Sequence, residues 1–290
     1  MGKDAVPSHK EIPAQQQEKP GLEHKMTPEP TYDMSYYKGT GKLQDRVALI
    51  TGGDSGIGRS VALLYAREGA DVAIIYLPTE QTDAEITKAL IENEGRKALL
   101  IPGDIADSDF CKQAVERTVK ELGRLNILVN NAATQEYREN FLDTTDSEIE
   151  RTFKVNIFAM MYLTRAAIPH LHGNDSIINT TSINAYRGHP VLIPYTTTKG
   201  AIVAFTRSMA LHLADKKIRV NAVAPGPIWT PLIVSTMPSK EVEGFGKDVA
   251  MERPGQPFEC ATSYVFLASQ DSSYFTGQVF HPNGGEIING

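Results

Sequence analysis

Tyr195 and Lys199 lie four residues apart, and Ser182 stands thirteen residues before the tyrosine. On a helix a spacing of four puts the phenol and the ammonium on one face. A phenol with an ordinary pKa of about 10 is a poor proton carrier at neutral pH. A neighbouring ammonium favours the phenolate and lowers that value. A serine hydroxyl beside the pair could hold a substrate oxygen against the phenol. Together the three would make a proton-transfer site for an alcohol or a carbonyl. Tyr-x-x-x-Lys alone is a weak signal, and it equally describes a surface tyrosine beside a solvated lysine. Its meaning depends on the elements that position it.

From Arg46 onward, short apolar runs alternate with helical patterns. Val47–Ile50, Val72–Tyr76, Ala98–Ile101, Ile127–Val129, Ser176–Asn179, Ile218–Val223 and Gln278–His281 read as strands. Arg59–Glu68, Glu80–Asn93, Phe110–Glu121, a long stretch from Asp146 to Leu171, Tyr195–Ala214 and Glu259–Leu267 read as helices. Strands apolar on both faces, alternating with helices, predict an α/β fold with a parallel sheet covered on both sides. Right-handed crossovers make that sheet doubly wound and Rossmann-like, and ligands bind beyond the carboxyl ends of its strands. The turn Thr51-Gly52-Gly53-Asp54-Ser55-Gly56-Ile57-Gly58 falls at such an end, between the first strand and the first helix. Its glycines permit a tight turn and a close backbone approach, and the helix start offers free N–H groups to a pyrophosphate.

The bulk numbers narrow the class. The chain has 290 residues, 41% of them hydrophobic and 22% charged, with a formal net charge of -6. This suits one large globular domain and gives no strongly basic face for nucleic acid. Cys111 and Cys260 lack metal-ligand spacing with histidines, so no metal site is expected, and they read as reduced thiols of a cytoplasmic protein. No apolar run is long enough to span a bilayer, and the N-terminus lacks the apolar core of a secretory signal. Residues 1–43 are rich in Pro, Gln, Lys and Glu without any period. Such a segment buries too little to fold alone. It is expected to be partly disordered, or pinned by Tyr32, Met34, Tyr36 and Tyr37 onto the body or a neighbouring subunit. Residues 44–290 then form a single dinucleotide-binding catalytic domain.

Thr51-Gly52-x-x-x-Gly56-Ile57-Gly58, Asn130-Asn131-Ala132-Ala133, Asn156, Ser182, Tyr195-x-x-x-Lys199 and Pro225-Gly226 occur in that order. The ordered set resembles the short-chain dehydrogenase/reductase family, from about Lys42 to the C-terminus. Ala133 stands where the family often has glycine, and Asn283-Gly284-Gly285 where it often has Asp-Gly-Gly. Neither departure removes a reacting group. The Gly-Gly-Asp-Ser-Gly-Ile-Gly loop, Tyr76-Leu77-Pro78, the His281-Pro282-Asn283-Gly284-Gly285 ending and the tail resemble a tailed bacterial subgroup, described as general-stress or glucose/ribitol-dehydrogenase-like.

That resemblance implies hydride transfer between a nicotinamide cofactor and a secondary alcohol or carbonyl, with a lean toward a small polar alcohol or sugar. It also implies a homotetramer. Ser182 would bind the substrate oxygen and Tyr195 would move the proton. Lys199 would lower the tyrosine pKa and bind the nicotinamide ribose, and Asn156 would hold a water of the proton relay. Pro194 suits the first turn of a helix, which sets Tyr195 near a positive helix end. The cofactor would lie on Gly52, Asp54, Ser55, Gly56, Ile57 and Gly58, with Tyr76 after the second strand. Asp104 and Ile105 would flank the adenine, and Asn131, Ala132 and Ala133 the adenosine-ribose side. Pro225, Gly226, Ile228 and Thr230 would hold the carboxamide, with Tyr195 and Lys199 completing the set. NAD is favoured over NADP, because no Arg or Lys stands at Asp54, Ser55 or Tyr76 through Thr82 to meet a 2′-phosphate. Arg59 sits just inside the helix, and Asp54 would repel that phosphate. His189 reads as a loop histidine at the edge of the cleft, and Thr181 and Ser208 as bystanders. The alternative class is a catalytically silent dinucleotide-binding regulator or scaffold. Such a protein should lack a reacting group, and this chain keeps all four.

Overall fold

Val47–Thr51 is buried at every position, which a strand satisfies in the middle of a covered sheet. It forms β1 of the computed structural model, which describes residue 6 and residues 8–288. The other strands are β2 (Asp71–Tyr76), β3 (Ala98–Pro102), β4 (Ile127–Asn130), β5 (Ser176–Thr180), β6 (Arg219–Val223) and β7 (Val279–Phe280). Among the described residues they form one seven-stranded sheet in the order β3-β2-β1-β4-β5-β6-β7. Every pairing is parallel, with Ile50 opposite Ile74 on one side of β1 and opposite Val129 on the other. The order reverses between β1 and β4, and the crevice at that switch point is where such sheets bind ligands.

The helices are α1 (Gly56–Arg67), α2 (Gln81–Asn93), α3 (Ser108–Leu122), α4 (Asp146–Phe153), α5 (Ala159–Ala167), α6 (Asn184–Arg187), α7 (Ile193–His212), α8 (Pro231–Thr236), α9 (Ser239–Val242) and α10 (Pro257–Ala268). Apolar side chains of α1, α2 and α10 bury one face of the sheet. Those of α3, α5 and the end of α7 bury the other. This is the doubly wound arrangement.

Three details depart from the sequence expectation. The first helix begins at Gly56, three residues before Arg59, because the glycines that make the turn also start the helix. The long helix from Asp146 is interrupted by a π-turn at Lys154–Phe158 and ends at Ala167, followed by one 3-10 turn at Ile168–His170. Thr145 opens it with a capping box to Glu148. The loops after β5 and β6 hold the short helices α6, α8 and α9, whose mixed composition carries no period.

The described part of the extension packs on the body. Ile12 and Met26 are buried with Trp229, Ile233, Val234, Met237 and Val242. Met34 and Leu43 join the main core. The Tyr37 hydroxyl donates to Glu68, while Tyr36 is exposed. Residues 1–5 and 7 of the extension lie outside the described residues. No helix among the described residues is long and apolar enough to cross a membrane.

Candidate active site

A cleft of about 460 Å³ lies beyond the carboxyl ends of the strands. Of the residues singled out in the sequence, Gly52, Asp54, Ser55, Gly56, Ile57, Tyr76, Asp104, Ile105, Asn131, Ala132, Ala133, Ser182, Tyr195, Lys199, Pro225, Gly226, Ile228 and Thr230 line it. Gly58 and Asn156 do not. Gly58 sits behind the turn, where a Cβ would come within 1.9 Å of the Gly52 carbonyl oxygen. It permits the fold of the turn and does not face the cavity. Asn156 is buried behind the wall of the cleft.

The glycine turn is tied to the sheet from both sides. Thr51 Oγ1 accepts hydrogen bonds from the Asn131 and Ala132 amides, each at 2.9 Å. Asn131 Nδ2 donates to the Thr51 carbonyl at 3.1 Å. Gly56 has φ +52°, and a Cβ there would press on Thr230 at 3.1 Å, so the turn closes directly on the segment leading into α8. Asp54 is buried, and its Oδ2 has no hydrogen-bond partner among the described residues. Burial pushes its carboxyl up to about 6, against a hydrogen bond from Ser55. Burial, and then the Asp54 charge, raise Glu80 to about 8. A buried carboxylate oxygen lacking a donor fits a ligand that brings hydroxyls, and the glycine cradle fits a diphosphate. Arg59 is not free to serve a phosphate. Its guanidinium pairs with Glu23 at 2.5 Å and Asp83 at 3.2 Å, with the side chain 3% exposed. Asp104 pairs with Arg151 at 2.7 Å. Burial raises the Asp104 carboxyl, but Arg151 and the Ala106 amide outweigh it and hold the group below its usual range.

At the other end of the cleft, α7 begins with Pro194 in its first turn and buries Tyr195 and Lys199. Tyr195 is 8% exposed and Ser182 7%, and both line the cleft. Burial pushes the phenol up to about 12, with the Ser182 hydroxyl opposing. Burial alone brings the Lys199 amine down to about 7. Burial therefore moves the phenol in the direction opposite to the lowering expected from the sequence. Desolvation outweighs mutual attraction, because Lys199 Nζ lies 5.2 Å from the phenol ring centroid and donates to the Thr180 carbonyl at 2.8 Å. Asn156 lies within the π-turn. Its Oδ1 accepts from the Thr134 amide at 2.8 Å, and its Nδ2 donates to the Thr134 carbonyl at 2.9 Å and to Thr198 Oγ1 at 3.0 Å. Thr198 Oγ1 donates in turn to the Tyr195 carbonyl at 2.6 Å.

His189 lines the cleft, and its Nδ1 is buried without a partner among the described residues. The Thr181 hydroxyl is engaged by the Lys199 carbonyl at 2.7 Å, and Ser208 is exposed on α7. Two lining residues come from where the sequence gave no signal. Lys19, in the extension, pairs with Glu136 after β4. Both are single charges in aperiodic segments, and only the fold brings them together.

A family model described as enoyl-(acyl carrier protein) reductase matches residues 52–286. General stress protein 39 of Bacillus subtilis is 57% identical over 280 residues, covering 96% of this chain and 98% of that one. The glucose and ribitol dehydrogenase of Daucus carota is 50% identical, covering 96% and 97%. The chloroplastic NADPH-dependent aldehyde reductase 1 of Arabidopsis thaliana is 49% identical, covering 94% and 97%. A crystal structure of a short-chain dehydrogenase from Burkholderia cenocepacia in complex with NADP superposes with a TM-score of 0.79 at 31% identity, covering 84% of this chain and 98% of that one.

Proposed function

We propose that this chain, which belongs to the short-chain dehydrogenase/reductase family, transfers a hydride between a nicotinamide cofactor and a secondary alcohol or carbonyl. One observation carries the proposal. Ser182, Tyr195 and Lys199 are buried together on the wall of a cleft whose far end is the glycine cradle. The nicotinamide cofactor, when bound, supplies the hydride acceptor or donor. Ser182 Oγ orients the substrate oxygen. The Tyr195 hydroxyl takes the alcohol proton in oxidation and returns it in reduction. Lys199, once its charge has further acceptors, is an ammonium and draws the phenol pKa back down. Asn156 anchors a water of the proton relay. Support comes from its link through Thr198 to Tyr195 and from the π-turn it occupies, a distortion frequent at functional sites.

The cofactor contacts would be the lining residues at the glycine turn and strand ends, with Asp54 Oδ2 accepting from a sugar hydroxyl. NAD is preferred to NADP on this reading. Two acidic residues, the buried Asp54 and the half-buried Glu80, line the cleft at the glycine turn, where the ribose would lie, and Arg59 is held by Glu23 and Asp83. The relatives that use NADP or NADPH pull the other way, so both cofactors enter the test. The substrate is a small polar alcohol or sugar. Gln135, Asn184, Arg187, His189 and Thr236 give the cleft polar walls, and one relative is named for glucose and ribitol. The chain acts as a homotetramer, which would cover Phe158 and Met161, 41% and 42% exposed near the start of α5.

The test is Tyr195→Phe, assayed with a panel of alcohols and carbonyls and with NAD and NADP separately. Turnover should fall by about 10²–10⁴-fold, while the dinucleotide dissociation constant changes little. Survival of turnover in the variant would falsify the mechanism.

A further inference from the structure

Lys19 and Pro20 of the N-terminal extension line the cleft, and the residues around them are tied to α8 and to the glycine turn. At one end Lys19 pairs with Glu136 on the cavity wall. The Ser235 hydroxyl then donates to the Pro20 carbonyl at 3.0 Å, and the Gln17 amide to the Val234 carbonyl at 2.8 Å. Gly21, with φ +85°, passes so close to α8 that a Cβ would stand 2.8 Å from the Pro231 carbonyl oxygen. At the other end Glu23 is 2% exposed and lies under the glycine turn. Its Oε2 accepts from the Gly56 amide at 2.5 Å, and its Oε1 from Arg59 at 2.5 Å. Arg59 Nε holds the Asp54 carbonyl at 2.9 Å, and Thr87 Oγ1 donates to the same carbonyl at 2.9 Å. Neither Glu23 nor Arg59 lines the cleft.

We propose that Glu23 is a positioning residue of the cofactor site, and that Lys19–Glu23 is the strap by which the extension sets the glycine turn against α8. The proposal rests on the nicotinamide assignment above. A turn with glycines at Gly52, Gly53 and Gly56 has more freedom to lose than any other sequence. Glu23 removes that freedom before a ligand arrives, by holding the Gly56 amide directly and the Asp54 carbonyl through Arg59. A preorganised site loses less order on binding and so binds more tightly. The carboxylate is required because two donors converge on it. A glutamine offers one acceptor oxygen and turns N–H groups toward the other donor.

The experiment uses the full chain with Glu23→Gln and titrates NAD by calorimetry. The dissociation constant should rise about tenfold or more, as expected from a charge-assisted hydrogen bond. At saturating cofactor kcat should stay within about threefold, since Glu23 touches no reacting atom. A merely structural role would lower the thermal midpoint of the cofactor-free protein and leave the dissociation constant unchanged. Gly21→Ala is the second variant, decisive if Glu23→Gln does not fold. It keeps every charged partner and pushes the strap off Pro231, and it should weaken NAD binding several-fold by loss of the same preorganisation. Unchanged NAD affinity in both variants overturns the role of Glu23. A wild-type protein that binds neither NAD nor NADP overturns the cofactor assignment beneath it.

Discussion

Lys199 is a buried amine, 2% exposed, whose pKa burial brings from 10.5 to about 7. Its solvation cost is therefore open to measurement. At 1.36 kcal/mol per pH unit, that difference corresponds to about 5 kcal/mol at neutral pH. Lys199→Met removes the charge and keeps most of the volume. It also leaves the Thr180 carbonyl without the donor it has at 2.8 Å, a loss of about 1–3 kcal/mol. The cofactor-free variant should thus be more stable than the parent at pH 7 by about 2–4 kcal/mol. In a chain of this size that is a rise in thermal midpoint of about 3–7 °C. The pH dependence supplies the sharper check. A folded-state pKa below the unfolded one leaves stability intact above pH 10.5 and erodes it as pH falls toward 7. The midpoint gap between variant and parent should be widest near pH 7 and narrow steadily toward pH 10. Tyr195, at about 12, stays neutral across that range in both proteins. Thermal scans of both cofactor-free proteins at four pH values are sufficient. A gap that does not change with pH, or a variant less stable at pH 7, would refute the claim that Lys199 is held against its own solvation. Turnover should be lost in the same variant.

Two further outcomes are expected. Asp54→Asn combined with Glu80→Gln removes both acidic groups from the proposed ribose end, and should shift the kcat/KM ratio for NADP over NAD upward by about tenfold. An unaltered ratio would show that these groups do not select the cofactor. Replacing Phe158 and Met161 by Glu should reduce the solution mass measured by light scattering, since charges in a buried contact are costly. A wild-type protein that is already monomeric would remove the tetramer from the account.

The strands were legible to within about a residue because burial on both faces leaves no alternation to misread, as in Val47–Thr51. The start of α1 was not, because glycine counts against a helix everywhere except where a turn must become one. The π-turn at Lys154–Phe158 adds a residue to one turn, and nothing in the residue types there distinguishes it from a continuous helix. The trio of Ser182, Tyr195 and Lys199 was legible because a helical spacing of four converts directly into a shared face. Its ionisation was not, because desolvation depends on residues distant in sequence. Glu23 was invisible for the same reason. A single carboxylate in an aperiodic tail means nothing until the fold puts Gly56 and Arg59 against it.

The two ends of the cleft share one physical problem. At the reaction end burial holds the phenol up to about 12 and brings the amine down to about 7, so the phenol is neutral and the amine only partly charged near neutral pH. At the cradle end Glu23, Asp54 and Glu80 are all raised by burial, and Arg59 is shared between Glu23 and Asp83. Each end keeps charge only weakly until something with matching polar groups arrives. Among the described residues Asp54 Oδ2 lacks a donor, and Lys199 Nζ, with three N–H groups when charged, donates to the Thr180 carbonyl alone. A ligand spanning the cleft with hydroxyls at both points would satisfy each, favour the ammonium over the amine, and through it lower the phenol. On the proposed mechanism, a bound ligand thus completes the ionisation that proton transfer needs. The stability of Lys199→Met and the turnover of Tyr195→Phe consequently report on two states of one buried pair, the first on its resting cost and the second on its working form.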